Sequence, residues 1–251
     1  MTSTLAISGS LFISMLGPVQ QWRGPLTTDG ARQVFAEAAQ ISESDAGRLW
    51  GITLYGPMIV VEADSRRAIA NGAVDSFQRE DDLFVGSLPE TIAIANTAFE
   101  WQETRWTMLR WPLPEDEEAR RRLIAHEMWH RIQTELGLPA SGAGNLHLGT
   151  RDGRVWMQLE WRALAAALRS EGEDRLDATA DALAFREKRH RIFPNAGDDE
   201  RSLIVHEGLA EYTGVILGSE SHGASRKVAI RALGAAPGAP SFVRSFAYTS
   251  G

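Results

Sequence analysis

Residues 112–139 read PLPEDEEARRRLIAHEMWHRIQTELGLP, and this stretch decides how the chain is organised. Pro114 suits the first position of a helix, where a missing N–H is no loss. Glu115, Asp116, Glu117 and Glu118 follow it and complement the positive end of the helix dipole. Gly137 and Pro139 stop the helix. These signals predict a helix from residue 114 to about residue 136. Ile124, Ala125, Met128, Trp129, Ile132 and Leu136 cover most of its surface, so burial on nearly all sides is expected. Within that surface stand His126, Glu127 and His130, and ionisable groups in an interior need a metal or a partner.

The two sides of this helix differ in character. Before it, residues 28–40 predict a short helix with Thr28 or Asp29 as N-cap. Residues 50–62 read as strand, broken at Gly56-Pro57. Residues 83–85, 91–94 and 104–111 continue the β character, with turns at Asn96 and around Glu100 and Glu103. After it come a Gly-rich loop over residues 140–153 and helices over residues 155–169, 178–191 and roughly 200–217. Residues 234–240 are loop-like, and order resumes over residues 241–248. The pattern predicts an α+β fold. Residues 1–111 form a small N-terminal β-sheet lobe with helices, and residues 112–251 a mainly α-helical lobe carrying the site, the two making one catalytic unit.

A chain of 251 residues with 43% hydrophobic content can bury a substantial core. A net charge of −7 argues against general nucleic-acid binding, which wants a basic face. There are no cysteines, which excludes disulfides, thiolate metal sites and cysteine nucleophiles. Any metal must therefore be held by His, Asp or Glu. Residues 1–20 carry an apolar patch at 11–16 without a basic n-region, a weak match to a signal peptide, so cytoplasmic and exported locations both stay open. No stretch has the length of a transmembrane helix.

Two histidines four apart on a helix project from one face, about 40° apart, and their imidazoles can meet one metal ion. Glu127 lies about 100° around the helix from His126 and about 60° from His130 on the same pitch. It can contact a water on the metal without ligating the metal itself, as a general base beside a Lewis acid must. Catalytic zinc takes three protein ligands and keeps one position open. The third is expected from a later helix, and two glutamates qualify, each in a Glu-x-x-Ala setting. Glu207 stands in His206-Glu207-Gly208-Leu209-Ala210-Glu211-Tyr212. Glu160 stands among Val155, Trp156, Leu159, Leu164 and Leu168, where an ion pair with an arginine such as Arg162 or Arg186 is the plain alternative.

The 206–212 stretch resembles the EGxAEY segment of the M1-type aminopeptidases and the broader peptidase MA-like group. With the HExxH helix, the chain looks like a gluzincin-type zinc metallopeptidase of zincin-like fold acting on a peptide or protein substrate. The metzincin pattern is absent, since Gln133 and Leu136 stand where it needs Gly and His. The resemblance implies His126, His130 and Glu207 as zinc ligands, with Glu160 the other candidate, and Glu127 as general base. Glu211 would support a ligating histidine. Ala247-Tyr248-Thr249-Ser250-Gly251 resembles the AYxxG segment that follows the third ligand, which implies Tyr248 as the group that stabilises the oxyanion. Related proteins generally continue with a further helix. The alternative expectation is therefore a truncated or non-catalytic peptidase-like protein that binds metal or a partner.

Overall fold

The computed structural model describes Trp22, residues 24–142 and residues 144–250. The apolar patch at residues 11–16 lies outside the described residues. The fold is α+β, a six-stranded mixed sheet followed by a helical region, and the chain divides after Gly137 into two units.

In residues 22–137, helix α1 (Thr28–Asp45) starts where the Thr27 hydroxyl accepts the Gly30 N–H, one residue before the expected cap. It runs on past residue 40 to Ala46, which takes a left-handed conformation. Six strands follow: β1 (Met58–Glu62), β2 (Arg67–Ala70), β3 (Gln78–Glu80), β4 (Leu83–Ser87), β5 (Thr97–Trp101) and β6 (Thr104–Trp111). Their order is β3-β4-β2-β1-β6-β5. Only β1 and β6 pair in parallel, with Ile59 opposite Met108. Four of the five β1 residues are buried, the continuous apolar run of a strand covered on both faces. Ile59, Val61, Ala68, Ala70, Trp106 and Met108 form the core on one face.

The sheet differs from the sequence expectation in four places. Residues 50–57 are turn and irregular chain, and strand begins only at Met58, after the Gly56-Pro57 break. Residues 91–94 form no strand. There the Arg66 guanidinium collects the carbonyls of Leu88, Pro89 and Ile92, so a side chain satisfies the backbone in place of a ladder. The short strands β2 and β3 were not expected. Glu100 lies in β5, and the turn falls on Gln102 and Glu103, both at positive φ.

Helix α2 (Glu117–Ile132) packs against β5 and β6. Its cap is Asp116, whose carboxylate accepts the Ala119 N–H at 2.8 Å, so the helix starts after the acidic run has begun and not at Pro114. Every residue from 123 to 132 is buried, as the all-round apolar surface implied. Arg105 of β6 reaches its C-terminal end and donates to the His130 and Arg131 carbonyls, each at 3.0 Å. A cation there satisfies orphan carbonyls and the dipole together, and it fixes the backbone beneath His130. Arg131 in turn donates to the Leu54 carbonyl at 2.9 Å. Gly56 permits this approach, since a Cβ there would stand 2.7 Å from the Arg131 guanidinium carbon.

In residues 138–250, helices α3 (Arg151–Arg169) and α4 (Gly172–Ile192) form an αα-hairpin joined at Ser170 and Glu171. Thr150 caps α3, which therefore begins inside the expected Gly-rich loop. Helix α5 (Ala196–Leu203), a π-helical turn (Ile204–Gly208) and helix α6 (Leu209–Gly218) make one continuous helical run. Helix α7 (His222–Ala235), which the sequence reading left out, starts at a Ser221 cap. Two short helices, α8 (Phe242–Ser245) and α9 (Ala247–Ser250), come last. Leu148, Met157, Trp161, Leu203, Phe242 and Phe246 belong to the core of this unit. No helix among the described residues is long and apolar enough to cross a membrane.

Candidate metal centre

His126 and His130 lie one turn apart on α2, both buried, and their Nε2 atoms are 3.2 Å from each other. Two nitrogens bound at 2.0–2.1 Å to one tetrahedral zinc would be separated by about 3.3 Å. The observed spacing matches that value. His130 Nδ1 lies 3.4 Å from Gln133 Oε1, one turn further on. A proton on Nδ1 makes this contact a hydrogen bond and leaves the Nε2 lone pair for a cation, the arrangement that metal-ligating histidines adopt. Glu127 is fully buried beside them in sequence. Trp129 is core, its ring 4.4 Å from that of Trp50.

Glu207 sits in the π-helical turn between α5 and α6. Such turns insert one residue into a helix and are frequent at functional sites. Here the turn sets the direction of a buried carboxylate. Glu207 Oε1 accepts from Arg244 Nη2 at 3.1 Å, and Oε2 accepts from the Tyr248 hydroxyl at 2.7 Å. His206 Nε2 is 3.7 Å from Oε1. Glu211, one turn on, is buried too.

His126, His130 and Glu207 are each buried, and each offers one ligand atom of a kind that holds metal ions. Two neutral imidazoles and a carboxylate are a donor set that suits zinc. Glu160 is placed elsewhere. Its Oε1 accepts from Arg186 Nε and Nη2 at 2.9 and 2.6 Å. Its Oε2 is 2.6 Å from Arg189 Nη2, close enough for an ion pair but out of line for a hydrogen bond. This is the arginine pairing expected as the plain alternative, made by Arg186, which the sequence offered beside Arg162, and by Arg189, which it did not.

Arg189 also ties Glu160 to Glu200, through Nε and Nη2 contacts of 2.7 Å each to the Glu200 carboxylate. His147 and His190 complete the group, with Nε2 atoms 2.7 and 2.9 Å from Glu200. Burial pushes the Glu200 carboxyl up. The hydrogen bonds from Arg189 and His147, the Arg189 charge and the His190 contact outweigh it and hold Glu200 well below the usual carboxylate range.

Three residues around the candidate metal ligands were not singled out in the sequence. Gln133 could have been found, because it lies three positions after His130 on the same helix face. Arg244 stands one turn before Tyr248, but nothing in the sequence brings either to Glu207. Arg105 is read only once β6 is seen beside α2. Neither a family model, nor a curated protein, nor a solved structure matches this chain.

Proposed function

We propose that this chain is a zinc-dependent hydrolase, a gluzincin-type metallopeptidase with His126, His130 and Glu207 as metal ligands. The observation that carries the reading is the 3.2 Å approach of the two buried Nε2 atoms on α2. Those three residues would hold a zinc ion, which would supply Lewis acidity and lower the pKa of a water toward neutrality. Glu127 would be the base that takes a proton from the attacking water and the acid that gives it to the leaving amine. Gln133 holds His130 in the tautomer with Nε2 unprotonated, and Arg105 holds the main chain beneath it. Tyr248 has one proton to donate, and it donates it to Glu207 Oε2. Stabilising an oxyanion would require Tyr248 to exchange that partner during the reaction.

The test is Glu127→Gln, assayed on a peptide library with zinc content measured in parallel. Turnover is expected to fall by about 10²- to 10⁴-fold, the range for loss of a general base, with zinc still bound at one per chain. Full activity in that variant sinks the mechanism. Stoichiometric zinc in the wild type with no cleavage of any peptide favours the other reading, a non-catalytic metal-binding protein. The Tyr248 hydroxyl, already engaged on Glu207, is the observation in its favour.

A further inference from the structure

We propose that Arg244 recognises a carboxylate of the substrate, so that this enzyme acts on peptides bearing one beside the bond it cleaves. The inference rests on the metallopeptidase reading above. Arg244 Nη2 donates to Glu207 Oε1 at 3.1 Å. Glu207 is buried, whereas 47% of the Arg244 side chain is open to solvent. A guanidinium carries five N–H donors in a rigid fork. Among the described residues this one bond is the only polar contact of the Arg244 side chain.

Neutralising Glu207 does not account for the pair. The other oxygen of that carboxylate accepts from the neutral Tyr248 hydroxyl, and the proposed metal on the same residue would itself supply the neutralising charge. A fixed cation one carboxylate away from a metal opposes metal binding by Coulomb repulsion. Its place is explained if it has an anion of its own to meet. The unused edge of the fork matches a carboxylate bidentately, and the bond to Glu207 sets where that edge lies. A free C-terminal carboxylate and an Asp or Glu side chain offer the same chemistry, so the test separates them.

The full chain carrying Glu127→Gln, loaded with zinc, is titrated by calorimetry with three N-acetylated peptides. One is a neutral amide containing Gln, one is its C-terminal free acid, and one is the amide with Glu in place of Gln. One of the two acidic peptides is expected to bind about 10- to 100-fold tighter than the neutral one, as a charge-assisted pair would give. Which of them does so identifies the source of the carboxylate. Adding Arg244→Gln should bring the ratio to about one, with zinc affinity unchanged or tighter. Arg244→Lys, which keeps the charge and the fold but not the fork, should lose most of the advantage. Equal binding of all three peptides overturns the proposal, as does an advantage that survives Arg244→Gln. So does weakened zinc binding in Arg244→Gln, which would make Arg244 a support for the ligand. Failure of the parent protein to bind zinc at all overturns the metallopeptidase reading and this proposal with it. Zinc binding without the carboxylate advantage overturns this proposal alone.

Discussion

Glu200 and Glu207 stand seven residues apart on one continuous helical run, both buried, and they are surrounded in different ways. Glu200 accepts a two-pronged contact from Arg189 and one nitrogen from each of His147 and His190. With Glu160 and Arg186 added, two carboxylates face two guanidiniums, and the charges cancel inside the group. Glu207 accepts from Arg244 and Tyr248, and it is proposed to share a metal with His126 and His130, whose Nε2 atoms face each other. A nitrogen lone pair directed at another nitrogen is balanced by a proton or a metal, not by further packing. Burial of ionisable groups is therefore no sign of a site by itself. What separates the two regions is the chemistry that meets: guanidiniums answer carboxylates around Glu200, whereas two imidazole nitrogens face each other on α2.

If the comparison holds, the two regions fail in different assays. The largest effect is expected for Arg189→Met. It leaves Glu160 and Glu200 without their buried partner and should cost about 3–5 kcal/mol of stability in urea unfolding, because an uncompensated buried charge remains. The same loss is expected with and without zinc. A loss that appears only with zinc present would tie Arg189 to the metal group and erase the distinction.

The next effect is read with metal. Zinc at 100 times its Kd should stabilise the wild type by about 2.7 kcal/mol through mass action on the folded state. His126→Ala should gain nothing, while its stability without zinc stays near that of the wild type. Equal stabilisation of the variant would place the metal elsewhere. Gln133→Leu is a smaller perturbation of the same centre. It removes the acceptor 3.4 Å from His130 Nδ1 and should weaken zinc about 10- to 100-fold in a chelator competition. Unchanged affinity would show that His130 holds its tautomer without Gln133.

The candidate metal ligands were legible in the sequence to the extent that one helix carries them. The helix-stop signal at Gly137 and the apolar surface marked α2, and the pitch of a helix puts His126, Glu127, His130 and Gln133 in mutual reach. Both end signals were less exact: the helix starts at Glu117 behind an Asp116 cap and not at Pro114, and it ends at Ile132, with residues 133–137 in turns, and not near residue 136. Glu207 was suggested by a motif, but its π-helical turn has no sequence signature that periodicity can show. Long-range side-chain contacts were the least legible. Residues 91–94 have the composition of a strand, yet Arg66 takes their neighbouring carbonyls. For Glu160, the sequence named Arg186 as a partner, but not the Arg189 bridge that joins it to Glu200.

The smallest expected effect tests whether the Glu200 region is graded or all-or-none. Arg186 and Arg189 both meet Glu160, but a third of the Arg186 side chain is exposed and Arg189 is fully buried. In Arg186→Gln the carboxylate keeps Arg189, and no charge is left alone in the interior. The expected cost is that of a partly solvated ion pair, about 1 kcal/mol or less, and it should shrink as salt is raised. Urea unfolding of Arg186→Gln, Arg189→Met and the double variant gives their coupling. A cost for Arg186→Gln close to that of Arg189→Met would mean that the six side chains act as one cooperative unit. The balance of charge around Glu200 would then depend on its solvent-facing edge as much as on its buried centre.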